Sequence, residues 1–423
     1  METFKDLLLE VIKQNESSFS QISRQTGISR GTLSRLTRGE GTGQVALLEL
    51  ILRVLPRCNY AMHQKLYQAL QRESIESQYG KGAWNCIEAV RNLLSIRYPT
   101  IRLTDQMSET LWKNQIITGR ANVRAAIQAL FLETARQGKV EAAFWGAAQS
   151  DLFYDFLTAF DGLSAHIRHL VTLVSGADNE YSLYNLRCME SILPCLCSQI
   201  RYEVKSFYVE NIPSNIEGPF SFFILTPQAV AEINGNYDGM QLIRETNTVK
   251  FYWDVFNKKY EQGRILVERG FGIKEWECDF FENKKKQQEG YLILEHVPTQ
   301  DAGLEATLLK EGRVYMSKET KQSLRSYLKA LEEKQGKKVQ LQIVDEHSFS
   351  VSPGLTLCCM NESAALFSYQ SLDGKQTTFS ICDVGIAKWL YRFLNFLPDS
   401  GWVYSMEDKK DVLLENNEFE LEN

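Results

Sequence analysis

The stretch 19–39, FSQISRQTGISRGTLSRLTRG, places arginine and small hydroxyl side chains at short intervals. A guanidinium group can donate two hydrogen bonds to O6 and N7 of guanine, and a Ser or Thr hydroxyl can bond bases or phosphates. Arg30 and Arg35 are therefore predicted to contact bases, with Thr32 and Ser34 as weaker candidates. Such contacts require an element that holds these side chains on one exposed face.

Signals for two short helices that meet at a turn surround these residues. Ser18 followed by Gln21 matches a capping box, so a helix is predicted to begin near Phe19. Gly27 can end that helix in the left-handed conformation, and Ser29 can cap the next helix. The inside of the corner is formed by four apolar residues, Ile22, Ile28, Leu33 and Leu36.

The outer face of the second helix then carries Arg30, Gly31, Ser34 and Arg35, and a polar helix face of this kind can enter the major groove. Arg24 and Arg38 are predicted to contact phosphates, which fixes the register of a protein on DNA without reading the base sequence. The predicted DNA-binding residues are Gln21, Arg24, Ser29, Arg30, Gly31, Thr32, Ser34, Arg35 and Arg38. The alternative is a helical pair that serves only in packing.

At these residues the chain resembles the repressor-like helix-turn-helix family of bacterial and phage regulators, often called the Xre or lambda-repressor type. The resemblance covers roughly the first 57 residues. It rests on Gly27 at the turn, Ile28 and Leu33 inside it, Gly39 after the second helix, and the run QVALLELILRVL. The resemblance implies a small all-helical DNA-binding domain whose base contacts map onto Arg30, Gly31 and Arg35.

Two positions depart from the family pattern. Phe19 stands where the first helix of the motif often carries a DNA-contacting Gln, and Ser23 stands where a mid-helix Ala is usual. The first departure leaves this chain without one conventional DNA contact.

The formal net charge of the chain is −6 at pH 7, which disfavours DNA binding by the chain as a whole. The segment 17–57 differs, because it contains six arginines against two glutamates. Attraction to phosphate acts within a Debye length of ~8–10 Å, so the local charge decides. A chain of 423 residues is expected to form two or three domains, and only the first of them is expected to hold DNA.

No apolar run approaches the ~20 residues that span a bilayer, and the opening METFKDLLLEVIKQNE lacks a signal-peptide pattern. The protein is therefore expected to be cytoplasmic and not to bind membranes. Its nine cysteines lie mostly in apolar runs without zinc-type spacing, so buried reduced thiols are predicted, with a redox or metal sensor as the alternative. The cysteines are Cys58, Cys86, Cys188, Cys195, Cys197, Cys278, Cys358, Cys359 and Cys382.

Helical periodicity predicts an opening helix at 4–14 that packs on Ile22 and Leu33, and further helices at 60–77, 83–97, 104–112 and 122–138. Residues 58–139 are predicted to form a helical linker that connects the DNA-binding domain to the rest of the chain and holds two subunits together. Plain packing within one domain is the alternative.

The pattern changes at Val140. AAFWG, SDLFYDFLTAF and IRHLVTLVSG indicate strand, helix and strand, and GRVYM, SKETKQSLRSYLKALEE and KVQLQIVDE repeat that order. Units of this kind predict α/β sheets that contain parallel pairs.

The repetition continues downstream. SFFILTPQAVAEINGNYDG and TVKFYWDVFNKKYEQG align with LCCMNESAALFSYQSLDG and IAKWLYRFLNFLPDSG, and each copy turns at an Asp-Gly hairpin signal before an apolar-faced helix. Two related α/β lobes are therefore predicted at 140–263 and 312–405, with a helical insertion at 181–199 in the first. Residues 264–311 are predicted to connect the lobes and 406–423 to form an acidic tail. Chance similarity is the alternative.

A duplicated lobe with this order of elements resembles the phospholipase D-like fold, in which two halves face each other across a cleft. Enzymes of that family carry in each half a His, a Lys two residues on, and an Asp. This chain departs from the pattern, because Phe349 stands where a Lys would be needed after His347, and Lys205 has no nearby His. His166 and His169 fall in a predicted strand, which disfavours a metal pair at that spacing.

No Gly-rich phosphate loop, Gly-x-Ser-x-Gly elbow or His-Glu-x-x-His motif is present. The chain is therefore predicted not to be an enzyme, with no catalytic residue, metal or cofactor.

The predicted fold is multidomain, with an all-α helix-turn-helix bundle and helical linker followed by two related α/β lobes of phospholipase D-like type. The predicted function is a sequence-specific transcriptional regulator that binds double-stranded DNA as a homodimer. Its C-terminal region is predicted to sense an unknown small-molecule or protein effector or to mediate assembly. Five aromatic residues are candidates to line a cleft between the lobes, with a place in the core as the alternative, namely Trp145, Phe222, Tyr252, Trp253 and Trp389. The alternatives are a nucleic-acid phosphodiesterase with a targeting helix-turn-helix, and an interaction scaffold from a mobile element.

Overall fold

The structure is a computed structural model that describes residues 3–38, 45–95, 115–136, 138–146, 164–176, 178–198, 200–212, 222–269, 292–295, 313–316, 341–344, 349, 351–371 and 375–405. The chain divides into two compact units, Met1–Ile87 with Phe396–Gly401, and Glu88–Asn395 with Trp402–Asn423. The first is helical where it is described and the second contains two β-sheets, so this is a mixed α/β multidomain protein. The predicted helices at 104–112, 150–160 and 317–333 and the predicted acidic tail lie outside the described residues.

Within the described part of the first unit, five α-helices form the bundle, namely α1 (Phe4–Gln14), α2 (Phe19–Thr26), α3 (Arg30–Arg38), α4 (Val45–Arg53) and α5 (Tyr60–Tyr79). Side-chain caps set where helices begin. The Thr3 hydroxyl accepts a hydrogen bond from the Asp6 backbone N–H at the start of α1, and Asn59 does the same for Met62 at the start of α5. The predicted opening helix at 4–14 is confirmed.

One apolar cluster joins these helices. Leu8 and Val11 of α1 pack in it with Ile22 and Leu33, as the sequence predicted. The cluster also includes Leu66 and Leu70 of α5, a helix that the sequence analysis placed in the linker. The structural core of the bundle therefore extends beyond residue 57.

Five further α-helices follow in the residues that the structure describes, namely α6 (Ala83–Leu94), α7 (Arg120–Ala135), α8 (Asn179–Cys197), α9 (Thr246–Gln262) and α10 (Val384–Phe396). The helices predicted at 60–77, 83–97 and 122–138 are confirmed as α5, α6 and α7, with small shifts at their ends. These shifts are ordinary, because helix ends fray and local signals define them weakly.

The second unit contains two eight-stranded sheets. The first sheet consists of β1 (Gln115–Thr118), β2 (Lys139–Trp145), β3 (Ser164–Val174), β4 (Arg201–Val209), β5 (Phe222–Leu225), β6 (Val230–Ile233), β7 (Gly239–Ile243) and β8 (Arg264–Ile265). The second consists of β9 (Val267–Arg269), β10 (Leu292–Glu295), β11 (Arg313–Met316), β12 (Leu341–Val344), β13 (Leu355–Asn361), β14 (Ala364–Gln370), β15 (Gln376–Ile381) and β16 (Val403–Ser405).

Both sheets have the same strand order. The first runs β1-β7-β6-β5-β2-β3-β4-β8, and the second runs β9-β15-β14-β13-β10-β11-β12-β16. In the first sheet the neighbours β2, β3 and β4 are parallel and all other pairs are antiparallel. The second sheet repeats this with β10, β11 and β12 as its parallel strands. The repeated order supports the predicted duplication and contains the predicted parallel pairs.

The strands that begin the second copy match different strands of the first copy from those predicted. β10 occupies the place of β2, although the sequence analysis put residues 292–295 in the connecting segment. GRVYM is β11 and corresponds to β3. The predicted insertion at 181–199 is α8, which connects the parallel strands β3 and β4 as a crossover helix. Parallel neighbours need a crossover connection, so this helix belongs to the basic lobe.

One extended segment joins the two sheets. β8 pairs with β4, and the Leu266 backbone N–H donates to the Val204 carbonyl. One residue later β9 pairs with β15, and the Leu266 carbonyl accepts from the Cys382 backbone N–H. The sheets therefore meet edge to edge at 264–269, which we call the seam.

Candidate nucleic-acid interface

A reciprocal cap fixes the start of α2. The Ser18 hydroxyl accepts from the Gln21 backbone N–H at 3.3 Å, and the Ser18 backbone N–H donates to Gln21 Oε1 at 2.8 Å. At the other end Gly27 has φ +75°, in the left-handed region. The predicted capping box and the predicted glycine stop are both confirmed.

Two hydroxyl side chains define the corner between α2 and α3. The Thr26 hydroxyl donates to the Ile22 carbonyl at 2.7 Å and accepts from the Ile28 backbone N–H at 3.2 Å. The Ser29 hydroxyl accepts from the Thr32 backbone N–H at 3.1 Å, as predicted for a cap. Sequence reasoning missed Thr26, although a Thr directly before a helix-ending glycine is a usable signal, since its hydroxyl can bond the backbone locally.

The left-handed conformation of Gly27 predicts that alanine at this position lowers the stability of the bundle. No atom lies within 4 Å of a Cβ placed on Gly27, so Gly27→Ala meets only the backbone strain at positive φ, and we expect it to destabilise the bundle by about 1–2 kcal/mol. Gly31→Ala is the matched control. Gly31 lies inside α3, and a Cβ there would meet the Ser29 hydroxyl at 3.8 Å, an ordinary van der Waals contact. Alanine at this position should therefore be neutral or stabilising by up to about 1 kcal/mol. Amide hydrogen exchange across residues 19–38 measures both changes, and a shift of equal sign in the two variants contradicts the assignment.

The apolar residues predicted for the inside of the corner are buried. Ile22, Ile28, Leu33 and Leu36 are at most 7% exposed and belong to the core cluster. Phe19 packs against the same cluster, which gives a structural role to the residue that departs from the resembled family.

The predicted DNA-binding residues lie on the opposite side of the helix pair from that core. Seven of them are exposed, namely Gln21, Arg24, Ser29, Arg30, Gly31, Arg35 and Arg38, whereas Thr32 and Ser34 are half-buried. Arg38 Nε donates to the Ser34 carbonyl at 3.2 Å. No hydrogen bond or ion pair to the described part of the chain engages the guanidinium groups of Arg24, Arg30 and Arg35.

Several of the predicted DNA-binding side chains form hydrogen bonds within the helix pair itself. The sequence pattern did not distinguish this structural role from DNA contact. Gln21 and Ser29 act in caps, and the Thr32 hydroxyl lies 2.9 Å from the Ser29 hydroxyl. The arginines are therefore better candidates for contact with a ligand. Elsewhere in the positive segment, Arg57 donates to the Gln14 carbonyl at 3.1 Å and serves to hold the end of α1.

The residues considered for phosphodiesterase chemistry do not form a site in the described part of the chain. Phe349 is buried against Phe393 and Trp402, and the Lys205 ammonium lies over the Tyr260 ring at 4.8 Å. His347 lies outside the described residues.

His166 and His169 both lie on β3, in the strand that the sequence predicted. His166 lies 3.2 Å from a Glu203 carboxylate oxygen. His169 is buried, with Nδ1 next to the Tyr202 hydroxyl and Nε2 next to the Gly146 carbonyl. Among the described residues no group of three His, Cys, Asp or Glu side chains could hold a metal ion.

Six of the eight cysteines in the described ranges are buried, namely Cys86, Cys188, Cys195, Cys197, Cys358 and Cys359. Burial raises the pKa of the Cys188, Cys195 and Cys359 thiols, which keeps them protonated and unreactive. Cys58 is half-buried and Cys382 is exposed, so the prediction of buried thiols fails at Cys382. Cys278 lies outside the described residues. Among the helices that the structure describes, none has the length and apolar character needed to cross a membrane.

No protein-family model matches the chain, and no curated protein sequence matches it. One similar solved structure is TrmBL2, an archaeal chromatin protein whose structure shows a novel mode of DNA binding. The match has 14% sequence identity and covers 61% of this chain and 98% of that chain, with a TM-score of 0.24. At that TM-score the likeness carries no argument about this chain.

Proposed function

We propose that this protein is a sequence-specific, DNA-binding transcriptional regulator of helix-turn-helix type. One observation carries the proposal. The capped corner of α2 and α3 has a sealed apolar inside and an exposed outside that carries Arg24, Arg30, Arg35 and Arg38. Exposed arginines on one short helix pair suit a phosphate backbone and guanine edges.

In this proposal α3 enters the major groove. Arg30 and Arg35 contact base edges, with Ser34 as a weaker candidate. Arg38 and Arg24 contact phosphates on either side and fix the register of α3 on the duplex. The local excess of arginine attracts DNA although the whole chain is acidic, because screening confines the attraction to short range.

Alanine substitution separates the two kinds of contact. We expect Arg30→Ala and Arg35→Ala each to cost about 1–3 kcal/mol of binding free energy at the preferred site and to relax base choice at one position. Arg38→Ala should weaken binding evenly across sequences. It should also reduce the slope of the logarithm of the binding constant against the logarithm of salt concentration by about one. The measurement is selection of bound sequences from a random DNA pool, followed by titration of the selected site at several salt concentrations.

Lys13→Ala is the matched control for these variants. Lys13 is an exposed cation on α1 of the same bundle, so its loss changes the net charge equally without altering the proposed interface. Variants of Arg30 and Arg35 that behave like the Lys13 variant on every sequence would remove the base-reading assignment.

The proposed active form is a homodimer. One small bundle reads only a half-site, whereas two bundles about 34–36 Å apart read two half-sites on one face of the duplex. The same selection from a random DNA pool tests the homodimer, because a selected site without two related half-sites contradicts it.

We further propose that the protein acts without catalysis. The buried aromatic Phe349 where the resembled enzymes need a Lys, and the placement of Lys205 over an aromatic ring, support that reading. The C-terminal lobes then sense an effector or mediate assembly.

A further inference from the structure

A cleft lies beside the seam, where side chains of both lobes meet. Its volume is about 620 Å³, within the range of small-molecule sites. β3 and β4 contribute the residues at their carboxyl ends, where ligands of open α/β sheets usually bind. The seam contributes Arg264 and Ile265, and the second lobe contributes Asp383 at the start of α10.

The five aromatic residues predicted to line a cleft do not line this one. Phe222 and Trp389 are buried in the interior, while Trp145, Tyr252 and Trp253 pack against an apolar cluster that includes α9. Two neighbouring aromatics on β4, Phe207 and Tyr208, line it instead.

Two opposite charges flank Tyr208 in the cleft without forming an ion pair with each other. The Tyr208 hydroxyl donates to Asp383 Oδ2 at 2.6 Å, and the Arg264 guanidinium lies over the Tyr208 ring at 5.6 Å. Asp383 is 6% exposed, and its Oδ1 accepts from the Ile386 backbone N–H at 2.7 Å. The cleft thus offers a carboxylate acceptor on one side of the phenol ring and a guanidinium donor on the other.

The hydroxyl of Ser206 makes no hydrogen bond of standard length and angle in the described part of the chain, and the Tyr208 phenol is a group on which it acts electrostatically. Ser206 is 1% exposed, lines the cleft, and lies on β4 two residues before Tyr208. A buried hydroxyl without a well-formed hydrogen bond costs free energy, and such groups are rare in folded proteins. A ligand atom that bonds this hydroxyl would remove the cost.

We propose that the cleft binds a small polar molecule that is electrically neutral overall, presenting a hydrogen-bond donor to Asp383 and an acceptor to Arg264 and bonding Ser206. Polyols and zwitterionic amino acids share this chemistry. A simple anion would meet the Asp383 carboxylate, and a simple cation would meet Arg264. Because the bonding groups come from both lobes and the seam, the bound molecule stabilises the junction between the lobes.

The test uses the full chain and isothermal titration calorimetry with named probes, namely glycerol, myo-inositol, glycine and serine. Binding of at least one probe is expected, with affinity lowered about tenfold by Ser206→Ala and by Arg264→Gln. Ser206→Ala removes a hydroxyl that makes no hydrogen bond of standard geometry, so it should leave the fold intact. Arg187→Gln is the control, since Arg187 is exposed on α8 and does not line the cleft.

Acetate and inorganic phosphate serve as anion probes and spermidine as the cation probe. The proposal is overturned if no neutral probe binds at millimolar concentration, if binding is indifferent to both cleft variants, or if only a charged probe binds through Ser206 and Arg264. Enhanced affinity for a polyol alone or an amino acid alone supports the proposal and identifies the source. The titration contains no DNA, so its outcome is independent of the proposed regulator function.

Discussion

Replacing Leu33 with alanine is expected to destabilise the helical bundle by about 2–5 kcal/mol. Leu33 is fully buried on α3 and packs in the cluster that joins α1, α2, α4 and α5. Truncation removes apolar contacts and leaves a cavity that a corner held by local caps cannot close easily. The exposed arginines of α3 would then lose their fixed position, so DNA affinity should fall with the folded fraction of the bundle.

Amide hydrogen exchange of the full chain, read by mass spectrometry over residues 19–38, measures this change directly. Leu9→Ala is the matched control, because Leu9 lies on α1 but is 42% exposed. Its removal should change protection by less than about 1 kcal/mol. Equal loss of protection in the two variants would show that Leu33 does not anchor the corner.

Acidification is expected to destabilise the first α/β lobe through His169. Burial lowers the pKa of His169 from 6.5 to about 4. Nε2 lies 2.8 Å from the Gly146 carbonyl and must donate to it, so Nδ1 of the neutral ring accepts from the Tyr202 hydroxyl at 2.5 Å. A second proton on Nδ1 would turn this acceptor into a donor inside the protein interior.

The pH dependence of the stability follows from the lowered pKa of His169 in the folded state. Because the folded pKa lies below the unfolded one, the stabilisation is complete above about pH 6.5 and is lost as the pH falls towards about 4. The loss is about 1.4 kcal/mol per pH unit and about 3 kcal/mol in all. Carboxylates protonate in the lower part of this window too, so the informative quantity is the difference between the native chain and His169→Gln.

Urea unfolding followed by tryptophan fluorescence at several pH values gives that difference. The advantage of the native chain over His169→Gln should shrink as the pH falls from about 6.5 to about 4. Parallel pH profiles for the two proteins would mean that His169 does not titrate between the folded and unfolded states.

Local signals made the helical corner predictable. Each of these signals acts over at most four residues, because Ser18 bonds Gln21, the Gly27 backbone N–H bonds the Ser23 carbonyl, and Ser29 bonds Thr32. Their hydrogen bonds and the φ preference of glycine can therefore be inferred without a fold. Apolar periodicity similarly identified the buried residues of the corner. The reason is physical, since a helix satisfies its backbone groups locally and shows its core-facing stripe in the order of its residues.

Long-range pairing was predicted less well. The repeat of sequence around α9 and α10 revealed the duplication, but the first parallel strand of the second copy, β10, was assigned to a connecting segment. A four-residue apolar strand carries little periodic signal of its own. Its place is decided by its neighbours β11 and β13, which are distant in sequence.

The sequence by itself determined the capped helix pair, its exposed arginines, the parallel strand pairs and the presence of two similar halves. Only the tertiary structure decided that α5 completes the bundle core, that 264–269 joins the sheets, and that Ser206, Tyr208 and Asp383 share one cleft. The physical reason is the separation along the chain over which each kind of interaction acts. Caps and periodicity act over one or two helical turns, whereas a cleft is assembled by contacts between residues far apart in the chain, which leave no spacing pattern in the sequence.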